Sequence, residues 1–188
     1  MMLKKVISVC LLALMMTSCA SQPPEVLTNE NLILKLPFPG ENWPTHPSGR
    51  SGPSETVWRK GKNEQKESIR VAISLSRVTY PHAVRSVTDS YLKQHCEKFT
   101  SVINDDQKEN GYYSLTWSVT CERKNFYSYS IHKVTTGNDS TYMTEKTWYG
   151  EPTEEDLKVW HEFMASVFVC DTRKTEHPCP EGYVRVNQ

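Results

Sequence analysis

The chain has 188 residues, with 22 basic and 22 acidic side chains and a formal net charge of zero. Such a balance offers no basic footprint for phosphate backbones, so nucleic acid is not an expected partner. The length suits a single domain with a full core.

The first nineteen residues say where the protein lives. Lys4 and Lys5 precede a short apolar run, Val6 to Met16. A bilayer-spanning helix needs roughly 20 apolar residues, so this run is too short to be one. Basic residues before it and small residues after it mark residues 1–18 as a secretory signal. Leu14-Met15-Met16-Thr17-Ser18-Cys19 resembles a bacterial lipobox. It departs from that pattern at Met16, where the family prefers Leu, Val or Ile. The resemblance implies cleavage before Cys19 and acylation of that cysteine. Lipoproteins of this kind usually carry three acyl chains. Each buried CH₂ contributes about 0.8 kcal/mol, so several chains hold far more firmly than one. Ala20 and Ser21 follow Cys19, with no Asp. By resemblance to enterobacterial sorting rules, this implies a periplasm-facing anchor in the outer membrane. Loss of residues 1–18 removes Lys4 and Lys5 and no acid, leaving a charge of about −2.

Residues 19–31 are polar and contain Pro23 and Pro24, as expected of a lipid-anchored tether reaching about 40 Å when extended. A globular domain over 32–170 follows. It opens with a strand, Leu32 to Leu36. Five prolines and three glycines between Pro37 and Pro53 predict loop, with Trp43 folded back on the domain. Glu55 to Arg59 is a short strand and Lys60 to Glu67 a charged turn. Ile69, Val71, Ile73 and Leu75 alternate with smaller or polar residues and predict a half-buried strand.

Pro81 to Phe99 switches to a helical period, with Val84, Val87, Tyr91, Leu92, Cys96 and Phe99 on one stripe. Asn104 to Gly111 reads as a turn. Tyr113, Leu115, Trp117, Val119 and Cys121 alternate with Ser and Thr, the strongest strand signal in the chain. Phe126 to Val134 is its partner. Gly137-Asn138-Asp139 predicts a hairpin, and Ser140 to Tyr149 the returning strand. The last helix follows Pro152, with Thr153 as cap and Glu154, Glu155 and Asp156 in its first turn. Its stripe is Leu157, Trp160, Phe163, Met164, Val167 and Phe168. Residues 171–188 form an irregular tail.

This order predicts an α+β single domain, a twisted antiparallel sheet with two packed helices. The order also resembles the PsbP-like fold, in which a first strand leads into a turn of the kind seen here at Leu36-Pro37-Phe38-Pro39-Gly40-Glu41-Asn42-Trp43. The resemblance spans about Leu32 to Cys170 and implies a binding or assembly module.

Of six cysteines, Cys10 leaves with the signal and Cys19 is the lipid site. Cys96, Cys121, Cys170 and Cys179 remain, an even number in an oxidising compartment, which reads as two disulfides. Three pairings exist. Proximity in the chain favours Cys96–Cys121 and Cys170–Cys179. A zinc site on Cys170, His177 and Cys179 is the alternative use of the second pair, though its spacing matches no standard zinc motif.

No phosphate loop, metalloprotease motif, nucleophile elbow or calcium loop is present. A Cys–His nucleophile pair, such as Cys96 with His132, would need a free thiolate, which an oxidising compartment disfavours. No cofactor, no metal and no enzymatic activity are expected. Aromatics occur on both faces of Ser140–Tyr149, which reads as an edge strand. Tyr142, Trp148 and Tyr149 are therefore interface candidates, against the alternative of plain packing. The expected role is a non-enzymatic binding or assembly subunit of an envelope complex, such as a secretion system, with envelope proteins as partners. The rival is a lipoprotein that binds a small ligand or the cell wall through an aromatic-lined cleft.

Overall fold

The computed structural model describes residues 29–37, 45–47, 55–60 and 67–180. The predicted signal, Cys19, the tether to residue 28, Trp43, residues 61–66 and the end of the tail, 181–188, lie outside them.

Nine strands and two helices are present among the described residues. They are β1 (Glu30–Ile33), β2 (Thr45–Pro47), β3 (Glu55–Lys60), β4 (Glu67–Leu75), α1 (Pro81–Lys93), β5 (Lys98–Glu109), β6 (Tyr112–Arg123), β7 (Phe126–Thr136), β8 (Ser140–Trp148), α2 (Glu154–Ser166) and β9 (Phe168–Asp171). Seven strands form one antiparallel sheet in the order β2-β3-β4-β8-β7-β6-β5, and β1 pairs with β9 separately.

Turn chemistry sets the meander. Asn110 and Gly111 both have positive φ and join β5 to β6, as a two-residue hairpin requires. Asn125, also at positive φ, closes the β6–β7 turn. Gly137 N–H donates to Ser140 O at the β7–β8 turn. α2 begins with a full capping box: Asp156 N–H donates to Thr153 Oγ1, and Thr153 N–H to Asp156 Oδ2, satisfying two otherwise orphaned donors.

Strand alternation sorts the core into two layers. Leu115, Trp117, Val119 and Val134 point to one face and meet Val84 and Leu92 of α1. Ile69, Val71, Ile131, Tyr142 and Trp148 point to the other and meet Trp160, Phe163 and Met164 of α2. β1 and β9 add Leu32 and Val169 to this second layer.

Five expectations are corrected. The stretch read as a turn at Asn104 to Gly111 belongs mostly to β5, and the first helix stops at Lys93. β5 is a sheet edge, wetted and interrupted at Asn104 by a register shift, so it carries no clean apolar period; bulges and charges are how edges are blunted. Val167 and Phe168 leave the last helix, because Val167 is extended and Phe168 opens β9. β1 begins at Glu30, so the last two residues of the predicted tether are already in the fold. Finally, β8 is not an edge. It lies between β4 and β7, paired with β4 from Ser140 to Trp148 and with β7 from Thr141 to Trp148.

Candidate functional site: a cleft beside Ser130, His132 and Glu145

The central position of β8 decides the interface candidates. Tyr142 and Trp148 are each 4% exposed and belong to the core under α2. They are packing residues, not a docking edge. Tyr142 also donates its hydroxyl to Glu30 Oε2 at 3.1 Å. Burial and the neighbouring Glu30 carboxylate push its pKa well above the usual tyrosine range. Tyr149, just beyond β8, is 42% exposed.

Cys96 is bonded to Cys121 and Cys170 to Cys179, the pairing between chain neighbours. Both sulfurs of the conceivable zinc set are therefore in a disulfide. His177 Nδ1 instead lies 2.7 Å from Asn110 O, and its ring stacks on Tyr112 at 4.0 Å. Cys96 likewise has no thiolate to offer His132.

Tyr149 leads to the site that the structure does contain. On the α1 face, beyond the C-terminal end of that helix, a cleft of ≈ 250 Å³ opens between Tyr91, His95 and the sheet. The Cys96–Cys121 bond closes one side. Phe126, Arg123 and Tyr149 stand at the mouth, and Ser128, Ser130, His132, Glu145 and Thr147 form the floor. Adjacent strands build this floor by register. His132 on β7 faces Glu145 on β8, and Ser130 faces Thr147. Residues two apart on one strand share a face, so Ser130 and His132 stand together.

The floor is polar and mostly dry. Ser130 Oγ is 2.8 Å from His132 Nε2. The His132 ring is 2% exposed and lies flat on Trp117, centroids 4.8 Å apart at 13°. Its Nδ1 is 3.7 Å from Glu145 Oε2, beyond hydrogen-bond reach, and has no hydrogen-bond partner among the described residues. Thr147 Oγ1 donates to Glu145 Oε1 at 3.0 Å, while Arg70 Nη1 stands 3.5 Å from Oε2. Burial lowers the His132 pKa; the nearby Glu145 and Asp89 carboxylates oppose that shift without cancelling it. The imidazole is accordingly neutral at neutral pH.

Ser130, His132 and Glu145 have the order of nucleophile, base and acid, yet two features separate them from a working triad. The acid stands too far from Nδ1 to orient the ring. Ser130 also lies mid-strand, between β6 and β8. Backbone N–H groups of a central strand point along the sheet to its neighbours, so none is aimed at a developing oxyanion.

Sequence reasoning singled out His132 only as a partner for Cys96, and passed over Ser130 and Glu145 as site residues. A signal existed: counting back from the Thr136–Thr141 pair beside the predicted turn places His132 opposite Glu145. Lys133 and Lys146 are 2% and 0% exposed on the other face. They pair with Glu109 at 2.6 Å and Glu67 at 2.5 Å. Lys146 also lies over the rings of Trp148 and Trp160, and burial lowers its pKa to about 8. These lysines are sealed beneath α2 and face no opening of the cleft.

The cleft lies far from the point where the chain enters the domain. Glu30 accepts hydrogen bonds from the Asn138 and Asp139 N–H groups, so β1 begins at the β7–β8 turn. Phe126 at the cleft mouth begins β7 and Thr136 ends it. At about 3.3 Å per residue the two ends are roughly 33 Å apart.

No family model matches the chain, and no curated protein matches it either. The similar solved structures include the following three. The solution structure of cyanobacterial PsbP (CyanoP) from Synechocystis sp. PCC 6803 is 14% identical, covers 82% of this chain and 98% of its own, and gives a TM-score of 0.51. LpqN of Mycobacterium tuberculosis, described as involved in cell envelope biogenesis, is 11% identical over 80% of this chain and 87% of its own, with a TM-score of 0.48. PA94 of Pseudomonas aeruginosa, a protein of unknown function and putative regulator, is 14% identical over 86% and 88%, with a TM-score of 0.40. The likeness is one of architecture: this α+β domain, a large antiparallel sheet with two helices, shares its fold with the PsbP-like protein CyanoP.

Proposed function

We infer that the protein is a lipid-anchored, non-enzymatic binding protein of the bacterial cell envelope, held through Cys19 and presenting the cleft end of its sheet to its target. One observation carries this reading. The chain enters the domain at Glu30, against the β7–β8 turn, and the aromatic-rimmed cleft lies at the opposite end of β7. The tether read in the sequence reaches about 40 Å when extended, more than the roughly 33 Å between the ends of β7, so an anchor before Glu30 leaves the cleft end free to meet a target. The lipobox supports the anchor, and Ala20 and Ser21 favour the outer membrane, facing the periplasm. No helix among the described residues is long and apolar enough to cross a membrane, which is compatible with attachment by lipid. The long His132–Glu145 separation favours binding over catalysis at Ser130.

The edge-strand route to an envelope assembly no longer has β8 to rest on. The cleft favours the rival sequence reading, an aromatic-lined site for a small or cell-wall ligand. The test has two parts. Cys19→Ser should move the protein out of the membrane fraction and abolish labelling by a radioactive fatty acid; labelling that persists refutes the anchor. A photo-crosslinking amino acid at Tyr149 should capture an envelope component in living cells, while one at Val159 on α2 should not. Equal capture at both positions refutes the cleft as the working surface.

A further inference from the structure

We propose that the cleft is a saccharide site, in which a ring hydroxyl bridges His132 Nδ1 and Glu145 Oε2 while the sugar faces pack on the aromatic mouth. This rests on the binding reading above and adds the chemical class of the ligand.

The floor defines the polar requirement. His132 is buried, neutral and already engaged at Nε2 by Ser130. Its Nδ1 has no hydrogen-bond partner among the described residues and stands 3.7 Å from Glu145 Oε2. When Ser130 donates to Nε2, Nδ1 carries the proton, so a donor faces an acceptor across a gap that neither can close. A group that accepts from one side and donates to the other satisfies both at once. A hydroxyl does this. A carbonyl can only accept and an ammonium can only donate. A ligand hydroxyl beside this pair, taking the place that water can hold, gives both atoms a partner.

The mouth defines the rest of the ligand. Tyr91 and Tyr149 are 63% and 42% exposed, and Phe126 lies 6.2 Å from Tyr149, centroid to centroid. Three aromatic rings around one opening provide flat apolar surfaces, the match for the C–H faces of a pyranose. Ser128, Ser130 and Thr147 add hydroxyls along the wall. The lining holds Arg123, Glu145, His95 and the neutral His132, and Arg70, 3.5 Å from Glu145 Oε2, also pairs with Glu55, so charges of both signs are present and neither dominates. Arg123 stacks on Phe126, its guanidinium carbon 4.7 Å from the ring centre, and leaves its N–H donors for ring oxygens. The volume of ≈ 250 Å³ suits a sugar unit and falls short of most drug-sized ligands. A purely apolar guest would leave the His132–Glu145 gap unfilled, and a protein loop would need more room.

The test is saturation-transfer-difference NMR on the full chain in detergent micelles, with two probes. Chitotetraose represents N-acetylhexosamine polymers of the wall, and maltotetraose represents neutral hexose polymers. At least one should give a signal with a dissociation constant of about 0.1–5 mM, within the range of shallow polar sites. Tyr149→Ala and Glu145→Gln should each weaken it by about tenfold, with an unchanged circular dichroism spectrum. The preferred probe identifies the glycan source. No signal from either sugar at about 20 mM overturns the proposal, as does a signal that both variants leave unchanged. If neither sugar binds while the Tyr149 crosslinker captures an envelope protein, the saccharide is refuted and the binding reading stands.

Discussion

Truncation of Trp148 separates a core strand from a docking edge, and the structure predicts the outcome in energy. Trp148 is 4% exposed, packs edge-on to Trp160 at 6.2 Å and lies 5.9 Å from Tyr129. Burying an indole removes about 200 Å² from water. At about 25 cal/mol per Å² this is roughly 5 kcal/mol. The alanine that remains keeps a small share, and measured aromatic-to-alanine losses in cores run about 3–5 kcal/mol. Trp148→Ala should therefore cost about 4 kcal/mol, a large part of the 5–15 kcal/mol typical of a domain. For a chain of this size, that corresponds to a fall in Tm of about 10 °C. Urea denaturation of the two chains side by side measures it. Tyr149→Ala is the internal control: at 42% exposure it should lose little. Trp148→Phe should cost less than alanine, because it keeps ring volume and removes an indole N–H that has no partner among the described residues. A loss below about 1 kcal/mol for Trp148→Ala would refute the central placement of β8.

Two further outcomes follow from other parts of the fold. The Cys96–Cys121 bond closes 25 residues, so Cys121→Ser should lower stability by about 3 kcal/mol; urea midpoints that match those of the oxidised parent would contradict that bond. The pH dependence follows from Lys146, whose folded pKa of about 8 lies below the ordinary 10.5. Below pH 8 both states are protonated and the folded chain carries the full cost of a buried charge. Between about pH 8 and 10.5 the unfolded chain binds more protons, so stability rises with pH in that window. Lys146→Met should flatten that rise; identical slopes for parent and variant would show that Lys146 is not the source.

What the sequence made legible was local. The alternation from Tyr113 to Cys121 is β6, almost residue for residue, because one face carries Leu115, Trp117 and Val119 and the other only Ser and Thr. α2 was readable from Thr153 and its acidic first turn. Strand alternation in β8 puts Tyr142, Lys146 and Trp148 on one face. Its place in the sheet was not readable, because the neighbour that makes it central, β4, lies about seventy residues earlier. Pairing at that distance leaves no mark on the strand itself beyond apolar residues on both faces, which equally suit an exposed edge. β5 failed for the opposite reason. Asn104 to Glu109 is as polar as a turn because it is an edge strand. The cleft combined both difficulties. Its floor depends on hairpin register, which could be counted, and its mouth on where α1 ends, which could not.

The same placement gives Tyr142 a different importance from the one its exposure would have implied. Glu30 accepts bonds from Asn138 N–H, Asp139 N–H and the Tyr142 hydroxyl, and a Cβ on Gly137 would overlap its carboxylate. One acid thus fastens the first described strand to the β7–β8 turn. Arg173 reinforces the same corner by bridging Asp171 of β9 and Asp139 of the turn. It holds the Asp171 carboxyl down at about 2. Because that folded pKa lies below the ordinary carboxylate value, this clasp is present above about pH 4 and is lost as the pH falls toward 2. β1 pairs only with β9, a ribbon of four residue pairs, and a two-stranded ribbon of that length is marginal alone. The clasp, the apolar contacts of Leu32 and Val169, and the Asn110 side-chain amide donating to Val169 O at 2.9 Å join it to the sheet. A pull on the entering chain therefore reaches the β7–β8 turn first, at the end remote from the cleft, and the cleft floor is held by the full ladders of β6, β7 and β8. On the proposed reading of an anchored binding protein, this separation lets the attachment bear load at one end while the binding geometry at the other is undisturbed.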